Sequence, residues 1–528
     1  MEADTLPLSG RVIAFMDIGT NSVRLLLVRI NANQSYTVLS DQKETVRLGE
    51  GEFIEQYLQP EAMQRAILVC HKFAEMARSY HAEEIVAVAT AATREAQNRD
   101  DFIRRLKREA QLDVRVVSGK EEARLIFLGV VSGVYLGDQQ ALFIDIGGGS
   151  TEIILGNQRE YLHLDSLKLG AIRVTSLFFL PDETTPVTPV RYAVLKQFVR
   201  NALLRTAQQL QGRQMDLAFG SSGTAENLGD IAAYHFYNRA RQRDDVFSHA
   251  QLKEVIQMLC DMPLEERRRV PGINPGRADI ILGGAAILDT IMEELHLPDL
   301  HITDRGLRDG LLIDYLSRSE QAPLFTGVSV RERSVLQLGR TCNIDEAHAR
   351  HVAQLALELF DSARQIHLHR FSSKERELLE YAALVHDVGA FLSYNNHQAH
   401  SYYLVRNYDL LGFYQNEINL IALAAFFHRK ALPSKKKHLE FAELDKRSQK
   451  LVRLYAVVLR LAENLDRSHR SSVEHARFCQ GKGKSVVLEL TSNSDIQLEV
   501  WGTQNHLPAF RKIFDRDLTI EVRQAAAD

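Results

Sequence analysis

Cysteine is scarce in this sequence. The 528 residues include only four, and they are scattered along the chain without a CxxC pair: Cys70, Cys260, Cys342 and Cys479. This spacing is typical of reduced thiols, and it argues against a disulfide framework or a cysteine-bound zinc ion. We therefore expect a cytoplasmic protein.

Long hydrophobic runs are also missing. No stretch reaches the roughly 18 consecutive apolar residues of a membrane-spanning helix, so no membrane partner is expected. The opening segment, MEADTLPLSGR, is acidic and lacks the apolar centre of a secretory signal. The net charge is only -4, so a polyanion would have to bind local basic patches. We expect no nucleic-acid partner.

The patterns that are present predict several domains. The chain is too long for one hydrophobic core, at about 150 residues per domain. Short apolar strands alternate with amphipathic helices and the pattern restarts near residue 140, which predicts an α/β fold. Beyond about residue 320 the spacing is helical, and KSVVLELTSNSDIQLEVWG predicts two closing strands. The predicted domains are two related lobes at 1–135 and 136–315, a helical domain at 316–475, and a small α+β domain at 476–528.

An internal repeat lies at the ends of two predicted strands. DIGTNS at 17–22 matches DIGGGS at 145–150, within flanks of the same polarity. Glycines allow a tight turn whose exposed N–H groups bind an anion, and a nearby carboxylate suits Mg²⁺ beside a phosphate. One such stretch alone is more simply a β-turn. Its repetition predicts two turns that grip a phosphate chain from both sides.

A third phosphate-binding candidate is GSSGTAEN at 220–227. A strand runs into small residues and then a helix, whose N-terminus favours an anion. A helix start capped by Ser or Thr explains the same letters equally well, and both interpretations stay open.

These loops, in this order, resemble those of the sugar kinase/Hsp70/actin superfamily. SGKEEARLIFLGV (118–130), DIGGGSTE, GSSGTAEN and DRGLRDG (304–310) narrow the resemblance to the exopolyphosphatase/guanosine pentaphosphate phosphatase (Ppx/GppA) family. The resemblance is strong over 12–315, and 320–528 looks like the family's longer form. It implies two actin-like (ribonuclease H-like) lobes, an all-α HD-like domain and a small α+β domain.

The resemblance implies hydrolysis of terminal phosphoryl groups with Mg²⁺, from inorganic polyphosphate or from pppGpp. The long C-terminal region and its basic run favour polyphosphate. The alternatives are a phosphatase acting mainly on pppGpp, a non-catalytic polyphosphate or alarmone sensor, and an ATP-dependent kinase of the same superfamily. The family also suggests a homodimer.

The resemblance also assigns roles to residues. Glu122 would activate the attacking water, and Arg94 would lie near the phosphates, where a guanidinium suits phosphate oxygens. Without the resemblance, both are ordinary helix-start residues facing solvent. Asp145 and Glu152 would bind the metal. The predicted phosphate-binding residues are Asp17, Gly19, Asn21, Ser22, Gly147, Gly148, Ser150, Thr151, Gly223 and Thr224.

The helical region resembles the HD-type metal phosphohydrolases. These use a His, then a His-Asp pair, often further His, and a distant Asp, which here predicts a second metal bound by His351, His386, Asp387, His400, His428 and Asp466. The lysine that usually follows the glycine in active HD enzymes is replaced, because Gly389 precedes Ala390. Metal binding stays open, hydrolysis at this place is disfavoured, and His397 and His469 are expected at the surface.

A basic run, HRKALPSKKKHLE at 428–440, lies in the same region. We interpret it as a track for long polyphosphate, since each lysine adds a salt-sensitive attraction to a polyanion. A solvated loop is the alternative. The residues concerned are Arg429, Lys430, Lys435, Lys436 and Lys437.

Overall fold

The computed structural model of the chain describes residues 10–33, 35–180, 183–318 and 329–524. They form two compact units, residues 1–327 and 328–528. The first contains two β-sheets, and the second contains helices and one small sheet. Within the described residues, no helix has both the length and the apolar character needed to cross a bilayer. The predicted boundaries at 135/136 and 475/476 remain predictions, and 319–328, just beyond the boundary predicted at 315/316, lie outside the described residues.

The described chain forms fourteen strands and twenty-one α-helices. The strands are β1 Gly10–Ile18, β2 Ser22–Asn31, β3 Tyr36–Thr45, β4 Glu84–Ala89, β5 Val114–Val116, β6 Ala141–Ile146, β7 Thr151–Gly156, β8 Tyr161–Leu167, β9 Leu217–Ser221, β10 Val246–Ser248, β11 Asp299–Ile302, β12 His475–Gln480, β13 Val486–Thr491 and β14 Leu518–Arg523. The helices are α1 Glu52–Glu55, α2 Pro60–Ser79, α3 Ala91–Glu95, α4 Arg99–Arg105, α5 Gly119–Val131, α6 Ala171–Phe178, α7 Pro189–Leu210, α8 Ser222–Tyr237, α9 His249–Asp261, α10 Leu264–Arg267, α11 Ile281–Glu294, α12 Leu307–Arg318, α13 Val330–Thr341, α14 Glu346–Gln365, α15 Ser373–Val385, α16 His397–Asn407, α17 Gln415–Phe427, α18 Leu439–Ala442, α19 Lys446–Leu465, α20 Gln497–Gln504 and α21 Leu507–Phe514.

The two sheets of the first unit repeat one topology. The first has the order β3-β2-β1-β4-β5, with β1 antiparallel to β2 and parallel to β4. The second has the order β8-β7-β6-β9-β11 with β10 added at its edge, and β6 is antiparallel to β7 and parallel to β9. The duplication predicted from the two Asp-Gly stretches therefore extends to the whole strand order.

Both faces of β1 are buried, which explains its nearly continuous apolar sequence. Ile13 and Phe15 pack into one core, whereas Ala14 and Met16 pack into another on the opposite face. Asp17 is the only charged residue in the buried part of the strand. A carboxylate at this place is costly unless it is compensated, so its position indicates function rather than packing.

Two helices of the first unit approach closely through glycines. A Cβ on Gly310 of α12 would lie 1.8 Å from the carbonyl oxygen of Leu125 in α5, and a Cβ on Gly129 of α5 would lie 2.1 Å from that of Gly306. Only glycine permits this separation of backbones. The contact matters because α5 carries Glu122 and α12 carries Arg308.

In the second unit, helices and the sheet β12-β13-β14 share one hydrophobic core. The predicted strand in the segment IQLEVWG is wrong, since this segment forms α20. Its buried residues Glu499, Gly502 and Thr503 recur at helical spacing, and α20 packs against α19. The third strand is instead β14, which pairs in parallel with β13.

We predict that Gly310→Ala destabilises the first unit. The added methyl group would overlap backbone atoms of α5, which cannot rotate away as a side chain can. Overpacking of this kind costs about 1–3 kcal/mol. Urea unfolding followed by circular dichroism should show that loss, whereas Ser317→Ala at the exposed end of α12 should change stability by less than about 0.5 kcal/mol. Equal stabilities for the two variants would contradict the close helix contact.

Candidate active site

Two equivalent β-turns form the centre of the candidate site. The backbone N–H of Gly19 donates to Ser22 O at 3.0 Å, and that of Gly147 donates to Ser150 O at the same distance. The first turn joins β1 to β2 and the second joins β6 to β7. Both turns line one cavity of about 80 Å³. The two turns therefore face a shared space, as the repeat in the sequence predicted.

The turns touch each other through small residues. A Cβ on Gly148 would lie 3.0 Å from Thr20 Cβ, and a Cβ on Gly149 would lie 2.8 Å from Thr20 Oγ1 and 2.7 Å from the ring of Phe53. Any side chain at Gly149 would push the two turns apart. The glycines of the second turn thus permit close contact between the lobes, in addition to exposing backbone N–H groups.

The cavity brings together most of the residues predicted to bind phosphate. The predicted residues that line it are Asp17, Gly19, Asn21, Ser22, Glu122, Asp145, Gly147, Gly148 and Ser150. The predicted residues that do not line it are Arg94, Thr151, Glu152, Gly223 and Thr224. These five residues lie at other places in the fold.

Glu122 reaches the cavity from the first turn of α5. Ser118 caps this helix by accepting a hydrogen bond from the backbone N–H of Glu121. Glu122 is buried, and its Oε2 accepts a hydrogen bond from Arg94 Nη1 at 2.7 Å. Burial raises the pKa of Glu122 to about 7, although Arg94 opposes the shift. Arg94 is therefore a partner of Glu122 and does not line the cavity.

Two further carboxyl groups lie in the cavity wall. Burial raises the pKa of Asp17, and its Oδ1 has no hydrogen-bond partner. Burial raises the pKa of Asp145 to about 6, while Ser221 Oγ donates to its Oδ2 at 2.6 Å. Buried carboxylates this close together are stable as anions only beside compensating positive charge. Oxygen ligands of this kind are those that Mg²⁺ prefers.

Strand register places different residues beside the two aspartates. On the first sheet, Asp17 pairs with Arg24, which pairs with Lys43 of β3. On the second sheet, Asp145 pairs with Glu152, which pairs with Ser166 of β8. Paired residues on adjacent strands point to the same face. One lobe consequently presents a row with two cations, and the other presents a row with two carboxyl groups.

Four arginines line the cavity, and none of them was predicted from the sequence as a site residue: Arg24, Arg277, Arg305 and Arg308. Arg308 lies within DRGLRDG, so the motif already signalled it, whereas Arg24 and Arg277 could be found only from strand register and tertiary packing. Burial lowers the pKa of Arg277 to about 10, and its Nε has no hydrogen-bond partner.

Gly223 and Thr224 do not line the cavity, and their predicted phosphate contacts remain predictions. Ser222, with a left-handed φ of 68°, lines the cavity instead. A Cβ on Gly223 would lie 2.5 Å from Arg277 Nη1, so this glycine makes room for the guanidinium. Thr224 is buried beneath, against Gly284.

Thr151 and Glu152 also lie outside the lining of the cavity. The Thr151 hydroxyl donates to the carbonyl oxygen of Leu169 at 2.7 Å, so it is already engaged and fully buried. Glu152 lies beneath the cavity, where its Oε1 accepts a hydrogen bond from Ser166 Oγ at 2.8 Å. Burial, together with Glu122 and Asp145, raises the pKa of Glu152 well above its usual value. Its predicted role as a metal ligand remains a prediction.

In the second unit, the structure gathers two groups of candidate metal ligands that share Asp387. One contains His348, His386, Asp387 and Glu463, and the other contains Asp387, His397 and His428. The structure thus brings together His386, Asp387 and His428, which were predicted as ligands of one metal. The described structure assigns His351, His400 and Asp466 to neither group, and the surface position predicted for His397 is wrong, since it is buried.

Helix phase explains why His348 takes the place predicted for His351. His348 shares the buried face of α14 with Val352 and Ala356, at intervals of four residues. Asp466 lies one step outside the group, because its Oδ2 contacts His348 Nδ1 at 2.8 Å. Glu463, one helical turn earlier, takes the position facing the group.

The predicted polyphosphate track divides into two parts. Arg429 and Lys430 line a cavity in the second unit, whereas Lys435, Lys436 and Lys437 lie on an exposed turn. Its role as a track remains a prediction.

We predict that Glu122→Gln stabilises the metal-free protein at high pH. Because the pKa of Glu122 is raised to about 7 in the folded state, the free energy of unfolding falls as the pH rises through 7. The amide removes that loss, so the variant should gain up to about 3 kcal/mol at pH 8.5 and nothing at pH 4.

Urea unfolding in the presence of a chelator, followed by circular dichroism at both pH values, measures this difference. Glu121→Gln is the matched control, because the hydrogen bond from Arg124 lowers the pKa of Glu121 and this variant should lose stability at pH 8.5. A Glu122→Gln variant with the same relative stability at both pH values would contradict a raised pKa.

Comparison with known proteins identifies two matching families of domains along the chain. Residues 27–319 match the Ppx/GppA phosphatase family, and residues 330–509 match the Ppx/GppA phosphatase domain III. An exopolyphosphatase from Cytophaga hutchinsonii is 26% identical with a TM-score of 0.54, and an exopolyphosphatase-like protein is 25% identical with a TM-score of 0.52. Each alignment covers 58% of this chain and 98% of the other.

These matches confirm the predicted fold class, an actin-like α/β protein followed by a helical region and a small sheet. The matched residues cover the first lobe from Leu27 onward, the second lobe with its turn, and most of the second unit. The chain belongs to the Ppx/GppA phosphatase family.

Proposed function

We propose that this protein is an exopolyphosphatase, which releases the terminal phosphoryl group of inorganic polyphosphate as orthophosphate. The observation that carries the proposal is the joint presence of the two turns, Glu122 and four arginines around a cavity of about 80 Å³. A space of this size accommodates several water-sized groups, which suits a chain end and a water molecule.

Binding of the chain end would use both lobes. The exposed N–H groups of the turns and the hydroxyls of Ser22 and Ser150 would donate to phosphoryl oxygens. Arg24 and Arg308 would offset the negative charge that spreads over these oxygens in a loose transition state. The next phosphates of the chain would continue past Lys43, which is exposed at the end of the cationic row.

Glu122 is suited to activate water. Its pKa of about 7 makes the carboxylate a stronger base than an exposed glutamate, yet leaves a large fraction ionised at neutral pH. The water oxygen attacks the terminal phosphorus, Glu122 takes one proton, and the P–O bond to the rest of the chain breaks. The shortened chain leaves with its oxygen, and the proton returns to solvent. Arg94 acts as a positioning residue through its hydrogen bond to Glu122.

The residues present fit a magnesium ion. Asp17 has a buried oxygen atom without a partner, and Asp145 lies on the equivalent strand of the other lobe. These two carboxylates would hold the ion, whereas Glu152 lies beneath the cavity. Bound Mg²⁺ would neutralise phosphate oxygens and polarise the phosphoryl group.

The lining of the cavity favours polyphosphate over a guanine nucleotide as the main substrate. Its lining side chains, taken from the described residues, include no aromatic ring on which a base could stack. The γ-phosphate of pppGpp ends in the same chemical group, so weaker hydrolysis to ppGpp is expected.

We predict that Glu122→Gln lowers orthophosphate release by at least about 100-fold while polyphosphate binding is retained, since the amide keeps the shape but cannot accept the proton. A substrate panel tests this with long polyphosphate, short polyphosphate and pppGpp, each with and without Mg²⁺. Glu121→Gln should keep near-normal turnover. Unchanged turnover in Glu122→Gln would exclude the proposed base.

The same panel separates the alternatives. Tight binding without turnover of any substrate by the wild type would indicate a sensor. ATP-dependent phosphorylation of an added acceptor would indicate a kinase, and faster turnover of pppGpp than of polyphosphate would make the nucleotide the main substrate.

We predict that Lys43→Gln raises KM for long polyphosphate roughly 3- to 10-fold at low salt and leaves kcat unchanged, because an exposed cation attracts the chain without touching the reacting group. The effect should shrink at high salt and with short polyphosphate. Lys72→Gln removes the same charge from an exposed position on α2 and should have no effect. Equal KM values for the two variants would place the chain elsewhere.

A further inference from the structure

Three buried imidazoles of the second unit are oriented by backbone carbonyl groups. His386 Nδ1 lies 2.6 Å from Ala383 O, His428 Nδ1 lies 2.6 Å from Ala425 O, and His397 Nδ1 lies 3.0 Å from Tyr394 O. A carbonyl oxygen can only accept a hydrogen bond, so each Nδ1 carries a proton. In the neutral ring, each Nε2 is then a lone-pair donor, which is the usual orientation of metal-binding histidines.

These Nε2 atoms converge on one carboxylate. His397 Nε2 and His428 Nε2 lie 3.0 and 3.4 Å from Asp387 Oδ1 and 3.2 Å from each other. Three lone-pair donors that face one another repel unless a cation lies between them. One proton can serve only one of the two Nε2 atoms as a donor to Asp387, and protonation of both rings would place two buried positive charges side by side. A bound metal ion satisfies all three atoms.

The adjacent group also places two imidazole nitrogens beside one carboxylate oxygen. His386 Nε2 lies 2.7 Å from Glu463 Oε2, and His348 Nε2 lies 3.3 Å from the same oxygen. His348 Nδ1 is held in turn by Asp466 at 2.8 Å, the carboxylate–histidine arrangement that supports metal ligands. Within each group, the candidate ligand atoms all lie within 4.8 Å of one another. Asp387 belongs to both groups and can bridge two ions.

The group of His348, His386, Asp387 and Glu463 lines a cavity of about 820 Å³. Its lining includes three cations, Arg429, Lys430 and Arg467, and the only tryptophan of the chain, Trp501. Trp501 is 56% exposed, and the guanidinium of Arg467 lies 5.5 Å from the centre of its ring. Arg429 contacts the ring of Tyr394 and the imidazole of His397. Cations beside a metal suit a phosphate group, and an exposed indole offers a surface for stacking a planar ring.

We propose that the second unit binds two divalent transition-metal ions bridged by Asp387, and that its cavity binds a nucleoside monophosphate. The phosphate would contact the metal held by His348, His386, Asp387 and Glu463 and the cations beside it. The base would stack on Trp501. Imidazole ligands favour manganese, iron or zinc over magnesium, so this site differs in metal preference from the all-oxygen carboxylates of the candidate active site.

Metal stoichiometry of the full chain tests the two ions. In equilibrium dialysis with Mn²⁺, His348→Gln and His397→Gln should each bind one ion fewer than the wild type, and Asp387→Asn should bind two fewer. His351→Gln, three residues away on α14, is the matched control and should bind the wild-type number. All variants keep the same active-site lobes, so the differences report the second unit alone.

Equal stoichiometry in all these proteins would overturn the metal site. Circular dichroism shows whether each variant is folded, and polyphosphate hydrolysis by Asp387→Asn should stay near normal. A loss of hydrolysis in that folded variant would show that this site is part of the phosphatase activity and would overturn its separate function.

Calorimetry with Mn²⁺-loaded protein tests the ligand, using adenosine 5′-monophosphate and ribose 5-phosphate as probes. Trp501→Ala should weaken binding of the nucleotide about tenfold and leave the sugar phosphate unchanged, as expected for loss of one stacked base. Arg467→Gln should weaken both, and Lys482→Gln, at an exposed hairpin turn, should affect neither. Absence of nucleotide binding, or equal losses for both probes in Trp501→Ala, would overturn the proposed ligand class.

Discussion

The contact between two glycine-rich turns is the constraint on which the candidate active site depends. Thr20 of one turn lies against Gly148 and Gly149 of the other, where an added Cβ would come within 3.0 Å of Thr20 side-chain atoms. This separation lets Asp17 and Asp145, from different sheets, line one cavity with Glu122. The glycine pair Gly129 and Gly310 serves the same end, because it brings α5 and α12, with Glu122 and Arg308, to that cavity. Glycine therefore permits the close approach at both places, between the two turns and between α5 and α12.

The two lobes share a topology but carry opposite charges beside their aspartates. Arg24 and Glu152 occupy equivalent places next to the turn, one cationic and one acidic. A symmetric pair of acids would repel the substrate. The divergence of these two positions gives the two lobes of a duplicated fold opposite charges beside their aspartates.

The sequence predicted those parts of the site that are local in the chain. The turns at 17–22 and 145–150 each carry their geometry in six residues, and the α/β pattern around them is regular. Arg24 and Arg277 were missed because their position depends on strand register and on packing between distant segments. Thr151 and Glu152 do not line the cavity for a related reason, since every residue of β7 is buried in the fold.

Helix phase accounts for the errors in the second unit. His348 and His351 are both plausible ligands by order alone, and only the buried face of α14 distinguishes them. His397 follows a left-handed Asn396 that starts α16 and turns the ring inward, which no periodicity in the sequence reveals. The segment at 497–504 satisfies both strand alternation and helical spacing, and packing against α19 decides in favour of the helix.

The most direct test of the central claim, that one terminal phosphoryl group is held between the turns and attacked by water, is hydrolysis of polyphosphate in ¹⁸O-enriched water. Mass spectrometry of the products shows which phosphorus receives the water oxygen. Attack at the chain end predicts one ¹⁸O atom in each released orthophosphate and none in the shortened chain. Label in the remaining chain, or short polyphosphate fragments in place of orthophosphate, would contradict the account.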